Sequence, residues 1–292
     1  MPDSPRFSVT VPAYNAESTL AQTVNSVRTQ TFADWELVIA DDGSTDSTLE
    51  LARGQAAEDP RIVVVSQENR GSGGAYNTAV RTARSDLLVM LSADDLLLPD
   101  HLSEFDRFIS DRPEASVFTC DGWYLYDDGR REKANPGALW RDPDECALED
   151  LLEACFYGVG AVYRRAVFDT VGGFREDLYA EDYLFWLLAL AHGFEHRHLV
   201  TPLSIHRRTT TQKSADSIRV RETDVRVLDA LLSSGLLTPP MASTALGVRR
   251  RLERDIGMRR ALTAAFGADV TERLIATTLH YRTQARRKHK NV

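Results

Sequence analysis

Residues 7–50, FSVTVPAYNAESTLAQTVNSVRTQTFADWELVIADDGSTDSTLE, carry one strand–helix–strand unit and the start of the next. FSVTV at 7–11 is a short β-branched run and reads as a strand. Leu20, Val24 and Val27 follow at helical spacing, four residues and then three. ELVIA at 36–40 is a continuous apolar run, suited to a strand buried on both faces. Ser47 with Glu50 makes a capping-box pattern, predicting a second helix. Outward from this unit, RIVVV at 61–65 is a third strand, 74–84 suits a helix, and DLLVML at 86–91 is a fourth strand. Regular alternation with short joints predicts a right-handed, mostly parallel α/β sheet flanked by helices.

Past Pro99 the pattern loosens. HLSEFDRFI at 101–109 looks helical and SVFTC at 116–120 looks like a strand. Residues 121–150 are rich in Gly, Pro, Asp and Arg with no surviving period, and are expected to be loops over the sheet. Glu181 to Ala191 predicts a buried apolar helix. Beyond about Ser214 the chain is helical, with Val225, Leu228, Leu231 and Leu232 on one face. Pro239 and Pro240 interrupt it before a further long helix.

With 292 residues, 43% of them hydrophobic, the chain can close a sizeable core, which excludes disorder throughout. A net charge of -8 repels nucleic acid over most of the surface and excludes a general nucleic-acid binder. The longest apolar stretch, YLFWLLALA, is far short of the roughly 20 residues that span a bilayer, and MPDSPRFSVTV does not read as a secretory signal. Cys120, Cys146 and Cys155 form no C-x-x-C pair, so a reduced, cytoplasmic protein is expected. From Tyr281 the tail carries Arg282, Arg286, Arg287, Lys288 and Lys290 without an acid. It suits either a solvated end or peripheral contact with anionic lipid at the inner membrane face, or with a phosphorylated acceptor.

In an open parallel sheet, ligands bind beyond the carboxyl ends of the strands. After the first strand come Pro12, Tyr14, Asn15 and Glu17; after the second, Asp41 and Asp42; after the third, Glu68, Arg70 and Gly71; after the fourth, Ser92, Asp94 and Asp95. A ring, several carboxylates, a guanidinium and a glycine-rich loop in one cleft suit a nucleoside diphosphate and a divalent cation. Each piece alone has a plainer reading: Asp41–Asp42–Gly–Ser as a turn and helix cap, Tyr14 as a half-buried packing residue.

VPAYN at 11–15, DDGSTD at 41–46, ENRGSGGAYNTA at 68–79, SADD at 92–95 and AEDYLFW at 180–186 together resemble the family 2 glycosyltransferases of the Rossmann-like GT-A fold. The resemblance runs from residue 7 to about 214. It implies an inverting transfer from a nucleotide-diphosphate sugar to an acceptor hydroxyl, assisted by Mn²⁺ or Mg²⁺. Tyr14 then packs on the base, Glu17 and Asp42 contact ribose or base, and Arg70 lies beside the nucleotide. Asp94 holds the metal as the second acid of the family's Asp-x-Asp motif. Ser92 replaces the first, which removes one carboxylate and leaves Asp95 either sharing the metal or capping the next turn.

Ala75-Tyr76-Asn77-Thr78-Ala79 departs from the family's Ala-Arg-Asn-x-Gly, and Glu181-Asp182 matches its Glu-Asp pair, whose aspartate is the general base. An acid pair opening a helix also simply complements the helix dipole. At 205–209, His206 stands where the family usually has tyrosine; it reaches the metal diphosphate, or Arg207 and Arg208 clamp phosphate instead. The implied division is a nucleotide-sugar-binding half at 1–98, an acceptor-side and catalytic half at 99–214, and a helical segment with the basic tail at 215–292. A ring face plus the Asp42 acceptor favours a pyrimidine, hence UDP or dTDP. The acceptor class stays open among carbohydrate, lipid-linked and small-molecule hydroxyls, and the long terminal helices could pair in a homodimer.

Two other classes compete. A sugar-phosphate nucleotidyltransferase needs a glycine-rich basic loop after the first strand, and PAYNAES has no Arg or Lys. A non-catalytic nucleotide-sugar-binding protein would explain Ser92 as decay of catalysis. His192, His196 and His198 have metal-like spacing but no accompanying constellation, favouring surface or packing roles, and Gly71-Ser-Gly-Gly-Ala fails the dinucleotide pattern at its last glycine.

Overall fold

The structure is a computed structural model and describes residues 4–134, 140, 142, 144–153, 158–179, 181–209 and 217–266. Cys155 and the basic tail lie outside these residues. The first half runs β1 (Phe7–Ala13), α1 (Leu20–Arg28), β2 (Trp35–Asp41), α2 (Thr48–Glu58), β3 (Ile62–Ser66), α3 (Gly71–Thr82), β4 (Leu87–Met90), β5 (Leu96–Leu97) and α4 (His101–Ser110). It continues with β6 (Val117–Tyr126), β7 (Arg131–Ala134), α5 (Leu148–Glu153), β8 (Val162–Arg164), α6 (Arg165–Val171), α7 (Glu181–Ala191) and β9 (His196–Arg208). The last helices are α8 (Ser217–Ser233) and α9 (Pro239–Phe266).

The sheet order is β3-β2-β1-β4-β8-β6-β9-β5, with β7 paired to β6. Strands β1 to β4 are parallel to one another, while β8 runs antiparallel to β4 and β6. All seven residues of β2 are buried because both faces are covered. Val38 and Ala40 join the core formed with α3 and α5 to α9, whereas Leu37 and Ile39 join the core with α1 and α4. The two-residue period of the strand sends neighbours to opposite layers.

Several expectations need correction. The hydroxyl of Ser47 makes no capping bond; Asp46 Oδ1 accepts from the Thr48 amide at 3.0 Å, and Glu17 Oε2 from the Ser47 amide at 3.0 Å. Helix α3 begins at Gly71, three residues before the apolar period becomes visible. The expected loop at 121–150 holds the end of β6, the β7 hairpin and the first turn of α5. On α8 the buried apolar positions are Val227, Leu228 and Leu231, with Val225 and Leu232 only half-buried. Pro239 and Pro240 open α9, where the missing amide costs no helical bond.

Strand β9 was not anticipated as such. His196 and His198 lie on it at 1% and 2% exposure, which bears out their packing role, and His192 is exposed. The amide of Cys146 donates to His196 Nδ1 at 2.8 Å, so the ring proton sits on Nε2 and is donated to Thr119 Oγ1, also at 2.8 Å. Thr119 then donates to His198 Nδ1 at 2.8 Å, and His198 Nε2 to Asp121 Oδ1 at 3.1 Å. Lys133 Nζ lies 3.0 Å from the other Asp121 oxygen. Burial pushes the proton affinity of both histidines below the ordinary value, so one neutral chain of donors satisfies every ring nitrogen. Trp140 packs edge-on against both rings at 5.1 Å, and together with the Cys146 amide it covers the histidines of β9.

Candidate active site

Register aligns the strand ends: Ala13 pairs with Asp41, and Asp41 with Ser66. Pro12 is half-buried in β1, and Tyr14, the second residue after it, is 51% exposed, so it is not a packing residue. Asn15 adopts φ 48°, and its amide donates to Ser44 Oγ at 3.1 Å while its Oδ1 accepts from the Thr45 amide at 2.9 Å. Those bonds fasten the loop after β1 to the loop after β2, with Glu17 joined to the start of α2.

Asp42 is buried, and its Oδ1 accepts from Gln67 Nε2 at 2.7 Å and from the Arg70 amide at 2.9 Å. Arg70 itself forms a two-point pair with Glu176, Nε to Oε2 at 3.0 Å and Nη2 to Oε1 at 2.5 Å. Glu176 was missed by sequence reasoning because its partner is 106 residues away and no local period marks it. Gly73, shortly after Arg70, has a packing cause. A Cβ on Gly73 would meet the Arg175 carbonyl oxygen at 2.8 Å, so only glycine lets the loop before α7 approach α3.

Ser92, Asp94 and Asp95 follow β4. Asp95 is buried, and its Oδ1 accepts from the Arg207 amide at 2.9 Å, tying this turn to the end of β9. Asp95 therefore has a fixed protein partner, and burial followed by the charge of Asp94 pushes its proton affinity well up. His206, half-buried opposite Tyr124 at a ring separation of 5.6 Å, is within electrostatic reach of Asp94. Burial and then Arg208 lower its pKa to about 4, against the pull of Asp94, leaving a neutral imidazole. Arg208 stacks on Tyr124 at 4.7 Å and Arg207 reaches Gln22 Oε1.

Tyr76, at the altered family position, links the two halves of the cleft. It is 4% exposed and its hydroxyl is hydrogen bonded to Ser92. Burial, with the charges of Glu181, Asp182 and Asp95, holds the phenol firmly protonated. Glu181 and Asp182 open α7, and Asp182 Oδ1 accepts from the Tyr183 amide at 2.9 Å. Pro12, Tyr14, Glu17, Asp42, Arg70 and Gly71 thus line the ends of β1 to β3. Ser92, Asp94, His206 and Asp182 converge from β4, β9 and α7.

Residues 8–172, more than half of the chain, match the profile described as "Glycosyl transferase family 2". The chain belongs to this family. Escherichia coli chondroitin synthase is 41% identical over 118 residues, covering 40% of this chain and 17% of that protein. This family 2 member spans between 17% and 49% of the first curated relatives it matches. S. aureus TarS, in a crystal structure with UDP-GlcNAc, superposes at a TM-score of 0.67 with 20% identity, over 88% of this chain and 73% of that one. The Pyrobaculum calidifontis mannosyltransferase PcManGT, in complex with GDP-Man and Mn²⁺, superposes at 0.65 with 22% identity, over 96% and 81%. These likenesses establish the GT-A-like fold.

Asp94 and the neutral His206 could supply two donors to a divalent ion, and among the described residues no group of three His, Cys, Asp or Glu side chains could enclose one. A two-donor set fits a cation that completes its shell with phosphate oxygens and water, as Mg²⁺ and Mn²⁺ do at diphosphates.

Proposed function

We propose that the chain is a metal-assisted, inverting glycosyltransferase that moves a sugar from a nucleoside diphosphate to an acceptor hydroxyl. The observation that carries this reading is the convergence of Ser92, Asp94, Asp95, Glu181 and Asp182 around Tyr76 and His206, beyond the carboxyl ends of parallel strands. Asp94 and His206 would hold Mn²⁺ or Mg²⁺, which when bound neutralises charge on the leaving diphosphate. Asp182 accepts the hydroxyl proton as the acceptor oxygen attacks the anomeric carbon, and the bond from that carbon to the phosphate oxygen breaks on the opposite face. An α-linked donor thereby gives a β-linked product. Protonated Tyr76 holds Ser92 through its hydroxyl.

Tyr14 offers an exposed ring for stacking and Asp42 a fixed acceptor for a base N–H, which supports UDP or dTDP as the nucleotide. The two structural neighbours bear different nucleotides, one UDP-GlcNAc and one GDP-Man, so fold likeness does not choose the base. The acceptor class, carbohydrate, lipid-linked or small molecule, belongs to the same proposal. So do a cytoplasmic location, peripheral membrane contact through the basic tail, and a homodimer. Among the described residues no helix is long and apolar enough to cross a membrane.

Thermal-shift measurements with UDP, dTDP, GDP and their common sugar conjugates, each with MnCl₂ and with excess chelator, test the proposal, since a ligand of the folded state raises its melting temperature. A pyrimidine nucleotide should raise it strongly only with metal. No shift from any nucleoside diphosphate in the presence of metal would sink the reading, and a greater response to GDP than to both pyrimidines would reject the base assignment. Binding without any sugar transfer or donor hydrolysis would select the non-catalytic alternative.

A further inference from the structure

Charge is divided sharply along this chain. Residues 1–238 hold 39 acids against 23 arginines and lysines, whereas residues 239–292 hold four against twelve. Helix α9 alone carries six arginines, and four of them meet carboxylates. Arg249 pairs with Asp229 at 2.6 Å, Arg251 with Glu153 at 2.9 Å, Arg259 with Asp255 at 2.9 Å, and Arg260 with Glu222. The bonds to Glu153, Glu222 and Asp229 fasten α9 to α5 and α8. Arg250 and Arg254 are exposed and have no carboxylate partner among the described residues.

At 3.6 residues per turn, Leu246, Arg250, Arg254 and Met258 fall within an arc of about 120° and extend about 18 Å along the helix. Ala245, Val248 and Ile256 occupy the opposite arc and are buried against the body. Among the described residues four large apolar side chains are exposed, and two of them stand on this outer arc, Leu246 at 39% and Met258 at 51%. Gly247 and Gly257 share the arc, and a Cβ built on either meets nothing within 4 Å. The two arginines, the leucine and the methionine therefore project from a low surface. That surface has no acid of its own; Glu253, at its edge, is held by Arg249 at 3.1 Å.

We propose that the outer face of α9 is a membrane-docking surface that lies along anionic lipid. Arg250 and Arg254 meet the headgroup phosphates, while Leu246 and Met258 enter the boundary with the acyl chains. Charge complementarity selects this occupant, and residues 267–292 continue the chain from α9 with six further basic residues against two acids. The acidic remainder of the protein is repelled by the same lipid surface, which orients the approach. A nucleic acid would engage the arginines but leave Leu246 and Met258 unburied. A second copy of this face would set arginine against arginine, which leaves any homodimer to another surface. The inference rests on the peripheral membrane contact proposed above, carries it from the tail to a folded helix, and needs nothing of the sugar-transfer chemistry.

Co-sedimentation of the full chain with vesicles tests it, comparing phosphatidylcholine alone with phosphatidylcholine mixed with phosphatidylglycerol. The unmutated protein should bind only the anionic vesicles, and less as salt is raised. Arg250→Gln combined with Arg254→Gln should weaken that binding about tenfold or more, the loss expected for two cations at a headgroup surface. Leu246→Ser combined with Met258→Ser should weaken it several-fold. All four side chains are exposed, so both variants should keep the unmutated melting temperature, which separates lost docking from lost folding. Unchanged binding in the folded arginine variant overturns the proposal. If glutamine at Arg282, Arg286, Arg287, Lys288 and Lys290 then abolishes binding, the tail contact stands without α9. Failure of the unmutated protein to bind anionic vesicles overturns both. A dimer in sedimentation velocity that the Leu246→Ser, Met258→Ser variant dissolves, with vesicle binding unaffected, assigns the face to a second copy instead.

Discussion

Asn77 and Phe174 exchange two hydrogen bonds: Asn77 Nδ2 donates to the Phe174 carbonyl oxygen at 2.9 Å, and the Phe174 amide donates to Asn77 Oδ1 at 2.8 Å. Asn77 is 3% exposed on α3, and the pair holds the loop that delivers Asp182 at the start of α7. Asn77→Ala leaves a buried amide and carbonyl without partners, at about 1–3 kcal/mol for each such group. Urea denaturation should show a loss of about 2 kcal/mol or more, and a loss under about 0.5 kcal/mol would mean that other contacts carry the loop.

Asp94→Asn should abolish most of the gain in nucleotide affinity that Mn²⁺ or Mg²⁺ confers, because it replaces an anionic donor beside neutral His206. Calorimetry with UDP, with metal and with chelator, makes the comparison. Equal affinities with and without metal in the unmutated protein would remove the metal from the site altogether.

Asp182→Asn keeps the side-chain size and its acceptor for the Tyr183 amide, so the helix start should survive. Transfer should fall by about 10² to 10⁴, the usual range for losing a general base, with donor affinity nearly unchanged. Near-normal turnover in a folded variant would show that Asp182 is not the base.

Thr119 is the shared partner of His196 and His198, so Thr119→Val should cost about 2 kcal/mol at neutral pH by stranding ring nitrogens inside the sheet. The pH dependence follows from the same burial. Both histidines protonate less readily in the folded chain than in the unfolded one, so unfolding releases groups that take up protons below about pH 6.5. Stability should therefore hold above that pH and decline as it falls; denaturant midpoints unchanged from pH 7.5 to 5 would contradict this.

Gly54 and Gly73 are both helical, yet alanine should have opposite effects. A Cβ on Gly54 meets nothing within 4 Å, so Gly54→Ala should stabilise by roughly 0.5–1 kcal/mol. On Gly73 it meets the Arg175 carbonyl at 2.8 Å, so Gly73→Ala should lower the melting temperature. Equal shifts would show that the approach of this loop to α3 is not tight.

Sequence by itself determined β1 to β4 and the intervening helices, because strands buried on both faces leave short continuous apolar runs and amphipathic helices leave a period of 3.6 residues. It also determined which polar residues follow those strands. The Glu176 partner of Arg70, the Arg207 amide that holds Asp95, and the long strand β9 with its buried histidines were decided by tertiary structure. Each of these is an interaction between positions from 77 to 112 residues apart, whose free energy depends on burial and distance rather than on any neighbour in the chain.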